Sequence, residues 1–153
     1  MKKLIMLGSL MVIVLVIGTT PATAVDLGSM NQARTKHAVY NEDVTIENIN
    51  GQSHVDIMTT NGSITVSGDI DGKSTVRLTA QNGSITIGGK VDGDSKVTLF
   101  AKGVVIINGK VASAATVVRY KASSIKIYGG TEGNATVEPM RKVKPKPLTT
   151  SLN

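Results

Sequence analysis

Two consecutive stretches decide the fold: residues 61–81 read NGSITVSGDIDGKSTVRLTAQ, and residues 82–102 read NGSITIGGKVDGDSKVTLFAK. They are one 21-residue pattern written twice, and residues 103–110, GVVIINGK, begin a third, eroded copy. The Asn-Gly and Asp-Gly pairs in the pattern tolerate positive φ, so each marks a place where the chain can turn sharply. A fixed period of about 20 residues is typical of solenoids and other repeat arrays.

Between these corners apolar and polar residues alternate, which is the period of a strand and not of a helix. The apolar residues recur in register from one copy to the next and form five columns. The columns are Val44, Ile64, Ile85, Val105 and Ile125; Ile46, Val66, Ile87, Ile107 and Ile127; Val55, Val76, Val97, Val118 and Val137; Ile57, Leu78, Leu99 and Tyr120; and Ile49, Ile70, Val91 and Val111.

A single copy of the pattern cannot bury its own apolar side chains, but stacked copies can. If each column stacks on itself at roughly 4.8 Å, every strand gains hydrogen-bonded neighbours and the columns form one dry interior. We therefore predict an all-β chain, a single parallel β-solenoid of about five coils of 20–21 residues over residues 42–138. An antiparallel sandwich or barrel would look alike locally, but an array of hairpins has no reason to repeat residue types at this period.

The N-terminal segment has the features of an export signal. Lys2 and Lys3 form a positive start, residues 4–17 are apolar, and Ala22-Thr23-Ala24 fits a cleavage site. The apolar run is short for a membrane span, which needs about 20 residues, although an uncleaved anchor is the alternative. We predict a signal peptide over residues 1–24 and a mature protein without a membrane span, periplasmic or secreted in a bacterium.

Two segments flank the predicted solenoid. Residues 25–41 lack the repeat and are expected to cap the first coil, as a short helix or an extended segment, because an open end exposes strand edges. Residues 139–153, PMRKVKPKPLTTSLN, contain three prolines and cannot continue a strand ladder, so a flexible tail is expected. Its cations either contact an anionic envelope surface or keep the tail solvated and block end-to-end stacking; they are Arg141, Lys142, Lys144 and Lys146.

The formal net charge of +6 is unevenly distributed along the chain. Two cations belong to the predicted signal and four to the tail, while residues 25–138 hold 11 basic and 11 acidic side chains. A neutral solenoid with one Phe and three Tyr lacks the one-signed field and the stacking platforms of nucleic-acid-binding proteins. We therefore expect no nucleic-acid partner.

Little in the sequence supports catalysis. His37 and His54 have no nucleophile at a diagnostic spacing, and no P-loop, nucleophile elbow or Cys/His ligand pattern is present. We expect no enzyme activity, no metal and no cofactor.

Four carboxylates provide the alternative to a chain without metal binding or enzyme activity. Asp71 and Asp92 share a column, with Asp69 and Asp94 nearby, and stacked like charges need a cation between them. Ca²⁺ would suit such oxygen ligands, and the same residues are the one conceivable acid pair for polysaccharide cleavage. The lysines nearby can neutralise the carboxylates instead; they are Lys73, Lys90 and Lys96.

One surface departs from the repeat. Val104 and Ile106 occupy outward positions where earlier copies carry Ser and Thr, and Phe100 lies on the preceding strand. Exposed apolar patches often mark contacts with a partner. We predict that Phe100, Val104 and Ile106 form one interaction face, unless the N-terminal segment or the tail covers them.

The phrases TTNGSITVSGDIDG and TAQNGSITIGGKVDG resemble the repeats of bacterial putative-adhesin proteins. That resemblance covers about residues 44–130 and implies a right-handed β-helix exported to the cell surface or periplasm. The expected function is a non-enzymatic structural, adhesion or interaction module of the bacterial envelope, whose partner is an envelope protein, a polysaccharide or another copy of itself. Two alternatives stay open: a carbohydrate-binding or carbohydrate-cleaving β-helix, and a self-assembling fibril subunit.

Overall fold

A computed structural model describes residues 23–31, 35–113 and 116–140 of the chain. These residues form twelve β-strands, and none of them lies in a helix. The strands are β1 (Val25–Asp26), β2 (Thr35–Tyr40), β3 (Val44–Ile46), β4 (His54–Thr59), β5 (Ile64–Val66), β6 (Thr75–Ala80), β7 (Ile85–Ile87), β8 (Lys96–Ala101), β9 (Val104–Ile107), β10 (Val117–Lys121), β11 (Ser124–Ile127) and β12 (Thr136–Pro139).

The strands form two six-stranded sheets in which every neighbouring pair is parallel. The first sheet has the order β1-β3-β5-β7-β9-β11, and the second sheet has the order β2-β4-β6-β8-β10-β12. Each strand therefore pairs with its counterparts one coil before and one coil after it. Single parallel bridges form a narrow third side; they join Met30, Ile49, Ile70, Val91, Val111 and Thr131. The predicted parallel β-solenoid is confirmed.

The strand register also confirms the predicted columns. Ile64 pairs with Val44 on one side and with Ile85 on the other, and Ile85 pairs with Val105. All four side chains are buried in one continuous core. Because successive side chains of a strand point to opposite faces, this register also places the residues between them on the outer surface.

Within residues 25–41, predicted to be a cap outside the repeat, the described residues 25–31 and 35–40 pair in register as a further winding. Val25 pairs with Val44, Met30 bridges to Ile49, and Thr35 pairs with His54. Each of these steps is 19 residues long, against 20 or 21 in the coils that follow up to β10; a 19-residue step recurs between β10 and β12. The segment does cover the first predicted coil, but it does so by continuing both sheets.

Glycine occupies two corners of the central coils for different reasons. Before β6 and β8, Gly72 and Gly93 adopt φ of 74° and 69°, where a side chain would be strained. At the Asn-Gly corner before each first-sheet strand, a Cβ on Gly83 would collide with the carbonyl oxygen of Gly62 one coil earlier. Positive φ was expected at both corners, but at Asn61-Gly62 and Asn82-Gly83 close stacking is the requirement.

A polar column lies inside the solenoid, beside the corner that leads into the second sheet. It consists of the buried residues Ser53, Ser74, Ser95 and Thr116. The Ser74 hydroxyl donates to the Asp71 carbonyl oxygen at 2.7 Å, and Ser95 donates to Asp92 at 2.6 Å. The three serines thus each bind a carbonyl of their own corner, whereas the Thr116 hydroxyl donates to the Gly93 carbonyl oxygen one coil earlier at 2.6 Å.

Asparagine side chains stack along the other corner. The Asn61 amide donates to Asn41 Oδ1 at 2.7 Å, and the Asn82 amide donates to Asn61 Oδ1 at 3.4 Å. Lys102 takes the next position and donates to Asn82 Oδ1 at 3.3 Å. These turn residues form the hydrogen-bonded ladder that holds the corner together from coil to coil.

Candidate functional site

The carboxylates at the corner before the second sheet are already paired. Lys90 Nζ lies 3.5 Å from Asp71 Oδ2 and 3.3 Å from Asp92 Oδ2, between two coils. Asp69 Oδ1 accepts a hydrogen bond from the Lys90 backbone N–H at 2.8 Å. Of the four predicted acidic residues, three therefore bind protein donors, and Asp94 lies exposed on the corner.

The electrostatics of this corner favour the charged forms. The backbone N–H of Gly93 donates to Asp92 at 2.7 Å and, together with Lys90, lowers the pKa of the Asp92 carboxyl. The hydrogen bond to Asp92 and the charge of Asp71 raise the pKa of Lys90. Lys90 thus neutralises the stacked carboxylates, as one of the sequence alternatives proposed. Within the described ranges no group of three or more His, Asp or Glu side chains is placed to hold a metal ion.

The predicted apolar face falls on two sheets. Val104 and Ile106 lie in β9 and point outward from the first sheet, where Ile106 stands between Thr86 and Lys126. Phe100 lies in β8 and points outward from the second sheet, between Thr79 and Lys121. All three are partly exposed. The structure therefore brings Val104 and Ile106 together and places Phe100 on a different surface.

The outer face of the second sheet carries a groove along the solenoid axis. Its floor is one register column, which consists of Val39, Met58, Thr79, Phe100 and Lys121. Two depressions of about 540 Å³ and about 280 Å³ lie over this column and share Thr79 and Gln81. They form one open groove, which we call the axial groove.

Charged side chains line both sides of the axial groove. On the side formed by the neighbouring column, His37 Nδ1 lies 3.6 Å from Asp56 Oδ2, and the Arg77 guanidinium lies 5.1 Å from the centre of the Phe100 ring. Lys102 stands on the opposite side, where it ends the asparagine ladder. His54 is next to His37, with ring centres 5.6 Å apart. The predicted interaction face included Phe100 but not the other residues of this arrangement. The alternation of inward and outward residues along β4, β6 and β8 is the signal that identifies it.

The remaining sequence predictions concern the chain ends. Arg141, Lys142, Lys144 and Lys146 lie outside the described residues, as does most of the predicted signal segment. A search of the described ranges for a helix long and apolar enough to cross a membrane finds none.

Comparisons of this chain with protein-family models, with curated proteins and with solved structures found no match.

Proposed function

We propose that this chain is an exported, non-enzymatic β-solenoid that acts as a structural, adhesion or interaction module at the bacterial envelope. The observation that carries the proposal is the register of the first sheet, where outward side chains form one straight column. The column consists of Asp26, Thr45, Thr65, Thr86, Ile106 and Lys126. Backbone ladders and a buried core hold these side chains at a fixed spacing, which preorganises the surface for a partner.

Export is supported by the N-terminal sequence and by the repeat. The positive start, the apolar run and the Ala22-Thr23-Ala24 site fit a secretory signal. The likeness of the Asn-Gly repeats to bacterial putative-adhesin proteins supports the same compartment. Val25, the residue directly after the proposed cleavage site, is the first residue of β1 and pairs with Val44.

The ends of the solenoid bear on the fibril alternative. Lys36 occupies an inward column, where it pairs with Val55, and it is exposed at the first winding. A second copy stacked on this end would place that charge over a dry column. At the other end, Thr136 and Met140 donate their N–H groups to the preceding coil, so the nitrogen of Pro139 faces the free edge, where it offers no donor. Both features oppose open-ended stacking.

A crosslinking pulldown from native envelopes tests the interaction role. Ile106→Lys should abolish capture of the partner, because a charge replaces the apolar centre of the first-sheet column. Gln52→Lys, which adds the same charge at an exposed corner outside both sheets, is the matched control and should retain capture. Equal capture by wild type and Ile106→Lys would clear this face of the proposed role.

Two further measurements separate the parts of the proposal. Mass spectrometry of the mature protein should find Val25 as its first residue in the periplasmic or secreted fraction; an intact Met1 in the cytoplasm would contradict export. Light scattering should show discrete particles for wild type and longer assemblies for Lys36→Val with Pro139→Val. Concentration-dependent chains of the wild type would instead favour the fibril subunit.

A further inference from the structure

The solenoid is neutral as a whole, but its charged side chains are distributed unequally between its two sheets. Outward positions of β6, β8 and β10 carry four cations, and Lys102 follows at the corner after β8. The four are Arg77, Lys96, Arg119 and Lys121. The corresponding strands of the first sheet, β5, β7 and β9, carry no charged residue. Of the two sheets, the second therefore presents the more basic surface over the described strands β5–β10.

The acidic side chains of the second sheet cancel only part of this charge. Glu138 pairs with Arg119 at 2.8 Å, and Asp56, the register partner of Arg77, lies 3.6 Å from His37. Among the described residues, Arg77, Lys102 and Lys121 form no ion pair within 4 Å. Three exposed cations are thus available to an external anion along the axial groove.

The shape of the axial groove indicates a chain-like ligand. Its floor crosses five parallel strands, which at roughly 4.8 Å per step corresponds to about 19 Å of continuous surface. The floor is partly apolar: Val39 is 64% exposed, and Met58 and Phe100 are partly exposed. Hydroxyl and amide groups of Thr79 and Gln81 lie at its centre. An apolar floor with polar and cationic sides suits a polymer that has both ring faces and regularly spaced anionic groups.

We propose that the axial groove binds an acidic polysaccharide that runs along the solenoid axis. Met58 and Phe100 contact the faces of the sugar rings, and Arg77, Lys102 and Lys121 bind the carboxylate or phosphate groups. The ring of Phe100 also positions the Arg77 guanidinium, which can bind an anion through two parallel hydrogen bonds. The inference rests on the proposed interaction role and names the class of partner for a second surface.

Calorimetric titration of the purified full chain tests this assignment at low ionic strength. The probes are oligogalacturonate for carboxylated sugars, teichoic acid for phosphorylated sugars, poly-L-glutamate as a sugar-free polyanion, and anionic phospholipid vesicles. At least one of the two glycans should bind, more weakly as salt is added, because exposed charge pairs are screened. Failure of both glycans to bind overturns the inference while leaving the export and pulldown results untouched.

Matched variants distinguish the groove from general positive charge. Lys102→Gln with Lys121→Gln should lower glycan affinity about tenfold, since two lost contacts of roughly 0.7 kcal/mol each give that factor. Lys73→Gln with Lys110→Gln removes two lysines that lie outside both the axial groove and the first-sheet column, and it should change the affinity less than about twofold. Equal losses in the two double variants would overturn the groove assignment.

The contribution of the sugar rings needs a separate variant. Phe100→Ala should weaken glycan binding more than any binding of poly-L-glutamate, which loses only the positioning of Arg77. Circular dichroism should show an unchanged fold because Phe100 points outward. If poly-L-glutamate or the vesicles bind as tightly as the glycans, or if Phe100→Ala has no effect on glycan binding, the polysaccharide assignment is wrong.

Discussion

The central coils and the last coils of the solenoid have the same ladders but differ in burial. In the central coils, Ile85 and Ile87 are fully buried, and the corner before β8 has glycine at its left-handed position, Gly93. In the last coil, Ile125 and Ile127 occupy the same columns but remain partly exposed, and the corner before β10 places Ser113 at φ of 75°. A middle coil is covered from both sides, whereas a terminal coil has one neighbour. Identical sequence columns therefore contribute unequally to stability, and the solenoid should be weakest toward its C-terminal end.

The largest expected effect comes from the core of the central coils. Leu78 is fully buried, so Leu78→Ala leaves a cavity in the dry core. It should lower the free energy of unfolding by about 2–5 kcal/mol. Ile127→Ala, at a partly exposed position of the last coil, should cost less than about 2 kcal/mol. Urea unfolding followed by circular dichroism measures both. Equal losses would mean that the last coil and the central coils contribute equally to the free energy of unfolding.

Exchanging the corner residues should have intermediate effects of opposite sign. Gly93→Ser places a side chain at φ of 69° and against the Gly72 carbonyl oxygen, so it should destabilise the protein by about 1–3 kcal/mol. Ser113→Gly relieves the same backbone strain in the later coil and should stabilise it by up to about 1 kcal/mol. Thermal unfolding checks the pair. A destabilising Ser113→Gly would show that the left-handed serine is held by contacts that outweigh its strain.

The smallest expected effect is electrostatic and depends on pH. Because the folded pKa of Asp92 lies below its ordinary value of 3.8, its contribution is present above that pH and is lost as the pH falls through the folded pKa. Asp92→Asn should therefore cost less than about 1 kcal/mol at neutral pH, and the difference from wild type should vanish in acid. Glu132→Gln, which removes the Lys110 pair of a later coil, is the comparison. Unfolding at a series of pH values measures both, and an Asp92→Asn deficit that persists in strong acid would contradict the assignment.

The repeat columns were predictable because they obey two local rules at once. Alternation sets which side chains point inward, and the fixed spacing of Asn-Gly and Asp-Gly sets which of them stack. Ile57, Leu78 and Leu99 follow both rules, and the register places them as predicted. The first winding was missed because its 19-residue steps and its lack of an Asn-Gly corner break the spacing, although Val25 and Met30 supply the required apolar residues.

The candidate surface was less predictable for a physical reason. A charge count along residues 25–138 is balanced, but binding depends on which face holds each charge. Phe100 was grouped with Val104 because the two are close in sequence; the corner at Lys102-Gly103 sends them to different sheets. The axial groove arises from residues about 20 positions apart, which become neighbours only once the chain is wound.

Cysteine pairs provide the most direct test of the wound register, since the chain has no cysteine of its own. Thr65 and Thr86 are register partners in adjacent coils, and Ile106 lies one coil further along the same outward column. Neighbouring coils are roughly 4.8 Å apart, within the Cα separation of a disulfide, whereas a gap of two coils, about 10 Å, is too long. Oxidation of Thr65→Cys with Thr86→Cys should form an intramolecular disulfide, and Thr65→Cys with Ile106→Cys should not. Efficient crosslinking of the second pair, with none in the first, would contradict a chain that is wound in parallel coils.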